Sequence, residues 1–457
     1  MSRERVRLGG NYRKLYLSTA VSNIGDGMST IAYPWLATAI TRNPLLIALV
    51  AAVQRLPWLV FTLPAGVITD RVDRRRAMVW MDALRGTFTA VVAVAVLSEQ
   101  GTLPAPDDVK DIVGTRAGLY VLVMLATLLL GCAEVLRDNC GQTFMPSIVD
   151  HQHLEQANGR MWGIESVANT FIGPPLGSIL LLTAFSIPFF VDAASFFVAA
   201  ALVALIPGTF RADHPERIAG EPVPSWVDDL KEGVRWLYHH KLLWSMAIIL
   251  GLMNMASMLS GSMFILFAQD VLDITPITFT IMGFGFALGG IVGGYVAPWM
   301  SRTFGSGSCL ALTLGSAAVI NFSVGLSSWW PLTALLFAVG TLLGSSWNVI
   351  TVSLRQSIIP PHLLGRVNSV YRFFAWGMMP IGAVLGGLVV LISRQFTSHD
   401  NSLRAVWFVD GMIHVALFLV GRRVLTTDRL EAARKAGVAP TATASLSSTA
   451  PLDEAGL

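Results

Sequence analysis

The chain has little charge for its length. Only 13% of its 457 residues are charged, against about a quarter in soluble globular domains. By contrast, 53% of the residues are apolar and the mean hydropathy is +0.60. This scarcity argues against a soluble protein and indicates a chain that crosses a membrane several times. The formal net charge is only +3, and we expect no nucleic-acid partner.

Cysteine and catalytic motifs are also scarce. The three cysteines, Cys132, Cys140 and Cys309, show no metal-ligand spacing and indicate no disulfide framework. The sequence has no nucleophile elbow, no phosphate-binding loop and no His or Cys cluster. We therefore expect no enzymatic activity, no metal and no cofactor, with a proton gradient as the energy source.

Long apolar stretches, separated by short polar breaks, make up most of the chain. Each is close to the ~20 residues that a helix needs to cross a bilayer core, and strand-like alternation is absent, which leaves helices as the spanning structure. The expected spans are twelve: 15–41, 44–68, 77–98, 117–136, 160–183, 187–206, 242–269, 277–300, 309–327, 331–353, 368–393 and 404–421.

Most lysines and arginines fall on one side of these spans, which places both termini in the cytoplasm. We expect a monomeric multi-pass protein of a bacterial inner membrane, surrounded by lipid. The expected parts are a cytoplasmic N-terminal segment (1–14), a first six-helix bundle (15–206), a cytoplasmic linker with an amphipathic helix (207–241), a second bundle (242–421) and a largely disordered cytoplasmic tail (422–457).

The two halves share a pattern of residues. After span four come Pro146, Leu154, Asn158, Gly173 and Gly177; after span ten come Pro360, Leu364, Asn368, Gly382 and Gly386, and the spacing from Asn to Gly agrees to one residue. Phe190-Val-Asp192-Ala in span six likewise matches Phe408-Val-Asp410-Gly in span twelve. Two six-helix halves with a site between them are typical of secondary transporters.

A dense group of charges separates spans two and three. Its arginines suffice to orient the chain, but they do not explain a glycine and an aspartate at fixed spacing. The pattern Gly66-x3-Asp70-Arg71-x2-Arg74-Arg75 resembles the signature between spans two and three of the major facilitator superfamily. Gly173-Pro174-Pro175-Leu-Gly177-Ser178 resembles the antiporter signature of its drug exporters, with Ser178 in place of the last glycine.

The closer resemblance is to the twelve-span branch that contains the enterobactin exporter and macrolide-efflux proteins, and it covers roughly residues 15–420. Asp73 is a departure, because the first signature usually has glycine there. The resemblance implies an all-α membrane protein with twelve transmembrane helices in two pseudo-symmetric six-helix bundles, the major facilitator fold. The matching segments are Arg55-Leu-Pro57-Trp58, Asp82-Ala-Leu-Arg85, Glu134-Val-Leu-Arg-Asp138-Asn139, Asp192-Ala-Ala-Ser-Phe196 and Leu364-Gly-Arg366-Val-Asn368-Ser369.

The resemblance also implies an inner gate. Gly66 would allow close helix approach, and Asp70 would face the positive N-terminal end of span eleven. The signature arginines, Arg71, Arg74 and Arg75, would bridge to carboxylates such as Asp138. In span five, the antiporter-like residues Gly173, Pro174, Pro175 and Gly177 would let the helix bend or pack closely.

Ionisable residues inside spans are the candidates for proton coupling, because they are costly to place there. Asp26 and Arg55 lie at similar depth near the bilayer midplane, where they form either a structural ion pair or a proton site tuned by Arg55. Glu134 and Glu165 are further candidates, with a static network as the alternative. These acids have no counterpart in the second half, whereas Asp192 and Asp410 are duplicated; we therefore place coupling in the first half and interpret the duplicated pair as scaffold.

The candidates for substrate contact are apolar or amide side chains. Met-rich surfaces adapt to varied apolar ligands, although the same residues can simply face lipid or neighbouring helices. The candidates are Asn23, Asn169, Met255, Met258, Phe264, Trp347 and Asn348.

The leading hypothesis is a proton-coupled exporter of amphipathic or hydrophobic small molecules that works by alternating access. An uptake symporter on the same fold is one alternative, because the fold alone does not set the direction of transport. A non-transporting membrane receptor or assembly protein is the other.

Overall fold

Helices make up nearly all of the regular structure in this computed structural model, which describes residues 8–106, 108–112, 114–211 and 226–438. In chain order they are α1 (Gly9–Ile40), α2 (Pro44–Val60), α3 (Thr62–Arg71), α4 (Arg74–Ser98), α5 (Ala117–Phe144), α6 (Leu154–Ser166), α7 (Gly173–Thr183), α8 (Ser186–Ala204), α9 (Trp226–His239), α10 (Lys241–Asp270), α11 (Pro276–Phe304), α12 (Ser306–Leu326), α13 (Trp330–Ile358), α14 (Pro361–Ser393), α15 (His399–Val424) and α16 (Thr427–Val438).

Ten helical segments among the described residues are long and apolar enough to cross a membrane. They are α4, α5, the run Leu154–Thr183, α8 and α10 to α15. The apolar α2 is shorter and is followed by α3 after Phe61, whereas α1 is long enough but too polar. The all-helical membrane fold is thus confirmed, and the number of twelve spans stays a prediction.

The expected repeat reappears as equivalent helix contacts. A methyl group on Gly177 of α7 would lie 2.8 Å from the Cα of Met28 in α1. A methyl group on Gly382 of α14 would lie 2.1 Å from the carbonyl oxygen of Met255 in α10. In each half, therefore, a helix that carries the repeated glycines packs directly against the backbone of the first helix of that half.

A π-helical turn, Val167–Ile172, joins α6 to α7. Pro174 and Pro175 follow it and carry no backbone N–H, so carbonyl groups one turn earlier lose their ordinary helical donors. A π turn accommodates one extra residue in a helix. This explains why Asn158 is one residue further from Gly173 than Asn368 is from Gly382.

The helix bundle has two distinct ends. We call the end that carries residues 71–76 the basic end, and the end that carries residues 40–43 and 269–276 the opposite end. Helices α2 and α14 pack together along most of α2. The contact runs from Leu45 of α2 against Gly387 of α14 to Leu59 of α2 against Gly377 of α14. Closer to the basic end, a methyl group on Gly66 would meet no atom within 4 Å.

Two of the expected polar segments contain helices. Within 207–241, α9 lies against α14: Gly233 packs on the backbone of Arg366, and Glu232 forms an ion pair with Arg366. Within 422–457, α16 is helical, so the expectation of disorder is wrong for residues 427–438. Residues 1–7, 212–225 and 439–457 lie outside the described part of the chain, and the expected domain boundaries stay predictions.

Candidate functional site

A cavity of about 970 Å³ occupies the first half of the chain. It extends from Tyr33 and Asp192 to Gln142 and Asn158 near the basic end, and all of its described lining residues belong to α1–α8. The predicted site residues that line it are Asn23, Asp26, Arg55, Glu134, Asp138, Glu165 and Asn169. The structure thus brings all four proton-coupling candidates to one cavity.

Asp26 is paired, but with a different arginine from the one we expected. The Arg85 guanidinium lies 2.6 Å from Asp26 Oδ1, whereas Arg55 is exposed on the cavity wall. The prediction of an Asp26–Arg55 pair is therefore wrong for this conformation. Arg85 also lies 4.1 Å above the centroid of the Phe196 ring, in cation–π geometry.

Arg85 belongs to a charge network that sequence reasoning missed. Asp82 lies on the same face of α4, and its Oδ1 is 3.8 Å from Arg85 and 3.4 Å from Arg137 of α5. Arg137 in turn lies 3.7 Å from Asp138. The sequence did contain a clue to this network: Asp82 and Arg85 lie three residues apart within an apolar span, and charges inside spans are rare and usually functional.

Carboxyl groups outnumber guanidinium groups in the cavity lining. Five acids and three arginines line it. Glu165 is exposed to the cavity, whereas Glu134 is half-buried. The cavity can therefore hold protons as well as fixed charge, and the five acids are Asp26, Glu134, Asp138, Glu165 and Asp192.

The duplicated aspartates are held in the same way in the two halves. Ser29 of α1 donates a hydrogen bond to Asp192, and Ser260 of α10 donates one to Asp410, both at 2.6 Å. Asp410 is fully buried and also lies 2.7 Å from His414 Nδ1. These contacts agree with the scaffold interpretation, although Asp192 additionally faces the cavity.

The charged loop at the basic end is held by backbone contacts. Asp73 caps α4 by accepting a hydrogen bond from the Arg76 N–H at 2.8 Å, and it accepts a second from the Phe210 N–H at 2.8 Å. Partial burial raises the pKa of Asp73, but these two hydrogen bonds and the nearby Arg75 and Arg76 charges outweigh it, so the pKa lies below its usual value. Asp73, the departure from the signature, thus ties the loop to the chain that follows α8.

Arg74 and Arg75 of the charged loop do not form the expected bridges to Asp138, because each donates to a backbone carbonyl instead. Arg74 donates to the Thr143 carbonyl at 3.1 Å and Arg75 donates to the Ile206 carbonyl at 2.5 Å. Cations at carbonyls near helix C-termini complement the helix dipole. The bridging prediction is therefore wrong for this conformation.

Gly66 and Arg71 are the other residues of the predicted inner gate that the structure describes. Gly66 makes no close helix contact, which contradicts the expected role for this conformation, and Arg71 is exposed. The Asp70 side chain lies outside the described part of the structure, so its expected contact with span eleven stays a prediction.

Within the part of the chain that the structure describes, the cavity lining does not include the substrate candidates of the second half. Met258 is half-buried, and Asn348 is exposed. Phe264 packs within an aromatic cluster, and Trp347 is in the core of the second half. The backbone of Met255 supports Gly382. In this conformation Met255, Phe264 and Trp347 serve packing, and their role in substrate binding stays a prediction.

The antiporter-like segment connects both halves. Gly173 packs against Gly27 and Gly177 against Met28, both in α1. The hydroxyl of Ser178 donates to the Pro276 carbonyl at 2.9 Å and lies 2.6 Å from the Thr280 hydroxyl of α11. Ser178, which departs from the antiporter signature, thus forms hydrogen bonds to the second half.

Further contacts close the opposite end. Arg42 of the first half donates to Gln269 at 2.7 Å and forms an ion pair with Asp270 of the second half. Lys110 pairs with Asp273. The cavity therefore communicates with the basic end, and contacts between the halves seal the opposite end.

Comparisons with known proteins agree with this geometry. The family model of the Major Facilitator Superfamily matches residues 15–383. The chain is 27% identical over 384 residues to the multidrug efflux pump Tap of Mycobacterium tuberculosis, covering 82% of this chain and 85% of the relative. It is 22% identical over 383 residues to macrolide efflux protein A of Streptococcus pyogenes, covering 82% and 88%.

Solved structures show the same fold at low identity. A bacterial homolog of the human lysosomal transporter Spinster, in an inward-facing conformation, superposes with a TM-score of 0.65 at 12% identity, covering 91% of this chain and 97% of that one. A bacterial homologue of the iron transporter ferroportin in an inward-facing state gives a TM-score of 0.65 at 16% identity, covering 90% and 98%. With the repeat, the signature loop and the family model in agreement, this chain is a multi-pass membrane protein that belongs to the Major Facilitator Superfamily.

Proposed function

We propose that this protein is a proton-coupled exporter that moves amphipathic or hydrophobic small molecules out of the cell. The observation that carries the proposal is the Asp26–Arg85 pair in a cavity whose described lining extends to the basic end. A partly exposed carboxylate that is paired with a buried arginine can bind a proton, and protonation breaks the ion pair. The export direction is supported by the printed names of the relatives, which are efflux proteins.

The basic end faces the cytoplasm in this proposal, because the positive-inside rule assigns arginine-rich loops to that side. The structure then corresponds to an inward-facing state of a transporter with twelve spans in the inner membrane. Export requires that the contacts of Arg42 and Ser178 across the opposite end break while the halves close at the basic end. Arg71, which is exposed, is available for that closure.

The wall of the cavity suits an amphipathic substrate. Trp58, Trp162 and Phe196 supply aromatic surface, while Asn23 and Asn169 supply amide groups at the same cavity. A wall that offers both aromatic and polar surface can accommodate a substrate that has an apolar part and a polar part. The asparagines are therefore proposed to orient the polar part of the substrate.

Transport in proteoliposomes with an imposed pH gradient tests the proposal. The assay measures accumulation of a radiolabelled macrolide and of a fluorescent amphipathic dye. We expect Asp26→Asn and Glu165→Gln to lower gradient-driven transport, because each removes a titratable group from the cavity. Asp150→Asn is the control, because its side chain is 84% exposed outside the cavity. Intact gradient-driven transport in both cavity variants would contradict the coupling assignment.

A further inference from the structure

Five side chains of alternating charge form a continuous row across three helices. The order is Asp26 of α1, Arg85 and Asp82 of α4, then Arg137 and Asp138 of α5. The successive separations are 2.6, 3.8, 3.4 and 3.7 Å. Asp26 stands at one end with 29% of its side chain exposed, and Asp138 at the other with 35%. The row thus links two points of the cavity wall through the protein interior.

Asp82 is the buried centre of this row. Its side chain is 0% exposed, and neither of its carboxylate oxygens accepts a hydrogen bond. An ionised carboxylate in such a place is tolerated only when opposite charges surround it. Arg85 and Arg137 supply those charges, but each of them is also close to a second carboxylate.

Arg85 therefore lies between two competing carboxylates. It contacts Asp26 at hydrogen-bonding distance and Asp82 at 3.8 Å, where no hydrogen bond forms. Neutralising Asp26 removes the stronger contact and leaves Asp82 as the nearest negative partner. A small rotation of the Arg85 side chain would then complete a hydrogen bond to an oxygen atom that has none at present.

We propose that Asp82 is the alternative partner of Arg85 and thereby a positioning residue for proton coupling; this inference rests on the proposed function. A proton that enters from the exterior binds an oxygen of Asp26 and breaks the Asp26–Arg85 ion pair. Arg85 turns to Asp82, which weakens the hold of Asp82 on Arg137. When the proton leaves to the cytoplasm, the original pairs form again.

The consequence reaches the basic end through α5. Arg137 and Asp138 belong to this helix, and Arg74 of the charged loop binds the carbonyl of Thr143 near its end. A change in the Arg137 pairing therefore acts on the helix that anchors the loop. Protonation on α1 is in this way communicated to the basic end, at which the halves open and close.

Two further acids lie near the row. Glu134 of α5 and Asp192 of α8 line the same cavity as Asp26 and Arg85. Neither has the position of Asp82, which lies outside the cavity wall and between two arginines. Asp82 therefore cannot act by binding substrate, and its effect must pass through Arg85 and Arg137.

The test compares two transport modes of the full-length protein in proteoliposomes with the same labelled macrolide. Counterflow exchange without a pH gradient reports substrate binding and movement, and gradient-driven accumulation reports coupling. We expect Asp82→Asn to lower accumulation at least about fivefold more than counterflow. Asp82→Glu, which keeps the charge, should recover part of the accumulation.

Two further variants keep the result interpretable. Asp410→Asn, which removes an equally buried aspartate outside the row, should affect both modes to the same extent. If Asp82→Asn does not fold because Arg85 and Arg137 then share a neutral amide in place of a carboxylate, Asp82→Asn with Arg137→Gln restores the net charge of the row. That double variant should fold and show the same selective loss of accumulation.

The possible outcomes separate the inference from the function on which it rests. Equal effects of Asp82→Asn on both modes would show a purely structural role and overturn the inference. Wild-type accumulation in an Asp82→Asn protein would overturn it as well. A wild-type protein that exchanges substrate but ignores the gradient would overturn the proposed proton coupling, and the inference with it.

Discussion

Removing the Ser178 hydroxyl should weaken the seal at the opposite end. Because Ser178 has a single hydroxyl hydrogen, which it donates to the Pro276 carbonyl at 2.9 Å, the Thr280 hydroxyl must be the donor across their 2.6 Å contact. Both bonds join the first half to the second, and both hydroxyls are almost fully buried. In Ser178→Ala, both bonds are lost from the sealed state.

The size of the effect follows from these two bonds. A typical buried hydrogen bond contributes about 1 kcal/mol net. Thr280 retains a longer contact to the Pro174 carbonyl at 3.4 Å, which limits the penalty of leaving it unpaired. The sealed state should therefore lose about 1–2 kcal/mol, which changes the ratio of sealed to open molecules by about 5–30-fold.

Spin-label distances across the opposite end measure this ratio. Asp108 and Asp400 are exposed and lie in different halves, so both are replaced by labelled cysteine after removal of the native cysteines. We expect Ser178→Ala to increase the population with a long label-to-label distance. Ser262→Ala is the matched control, because it removes a buried hydroxyl-to-carbonyl bond of 3.1 Å within the second half. An equal shift in both variants would refute the reasoning.

Two further predictions concern stability. Gly177→Ala should destabilise the protein by about 1–3 kcal/mol, because the added methyl group meets the Met28 backbone at 2.8 Å. Thermal unfolding in detergent measures this change. Gly261→Ala is the control: the space at its Cα is open, so this variant should not lower the melting temperature. Asp73→Ala should cost about 1 kcal/mol through loss of a helix cap. Because the folded pKa of Asp73 is lowered, its stabilising effect is present at neutral pH and disappears as the pH falls below about 4. A difference between wild type and Asp73→Ala that persists unchanged at lower pH would contradict this assignment.

Much of the architecture could be predicted from the sequence because it depends on local composition and on spacing along the chain. Apolar length alone located the spanning helices. The repeated glycines, such as Gly177 and Gly382, identified which helices pack closely in each half. The repeat also indicated that Asp192 and Asp410 are held in the same way, by a serine hydroxyl in each half, although Asp192 lines the cavity together with the other acids.

Pairing between side chains could not be predicted in the same way. Asp26 and Arg55 both line the cavity, but the arginine that lies within hydrogen-bonding distance of Asp26 is Arg85 of α4. Depth along a helix is readable from sequence, whereas orientation between helices depends on tertiary packing. The partners of Arg74 were missed for a related reason, because they are backbone carbonyls and carry no sequence signal.

The π turn at Val167–Ile172 has a consequence for the ancestry of the two halves. If the halves descend from one duplicated six-helix unit, the turn records an insertion of a single residue in one copy after duplication. Because the wider π turn takes up the extra residue, the helix before it keeps its facing relative to the helix after it. A single inserted codon would thus have lengthened this helix in the first half while leaving the Gly173 and Gly177 contacts with α1 in place.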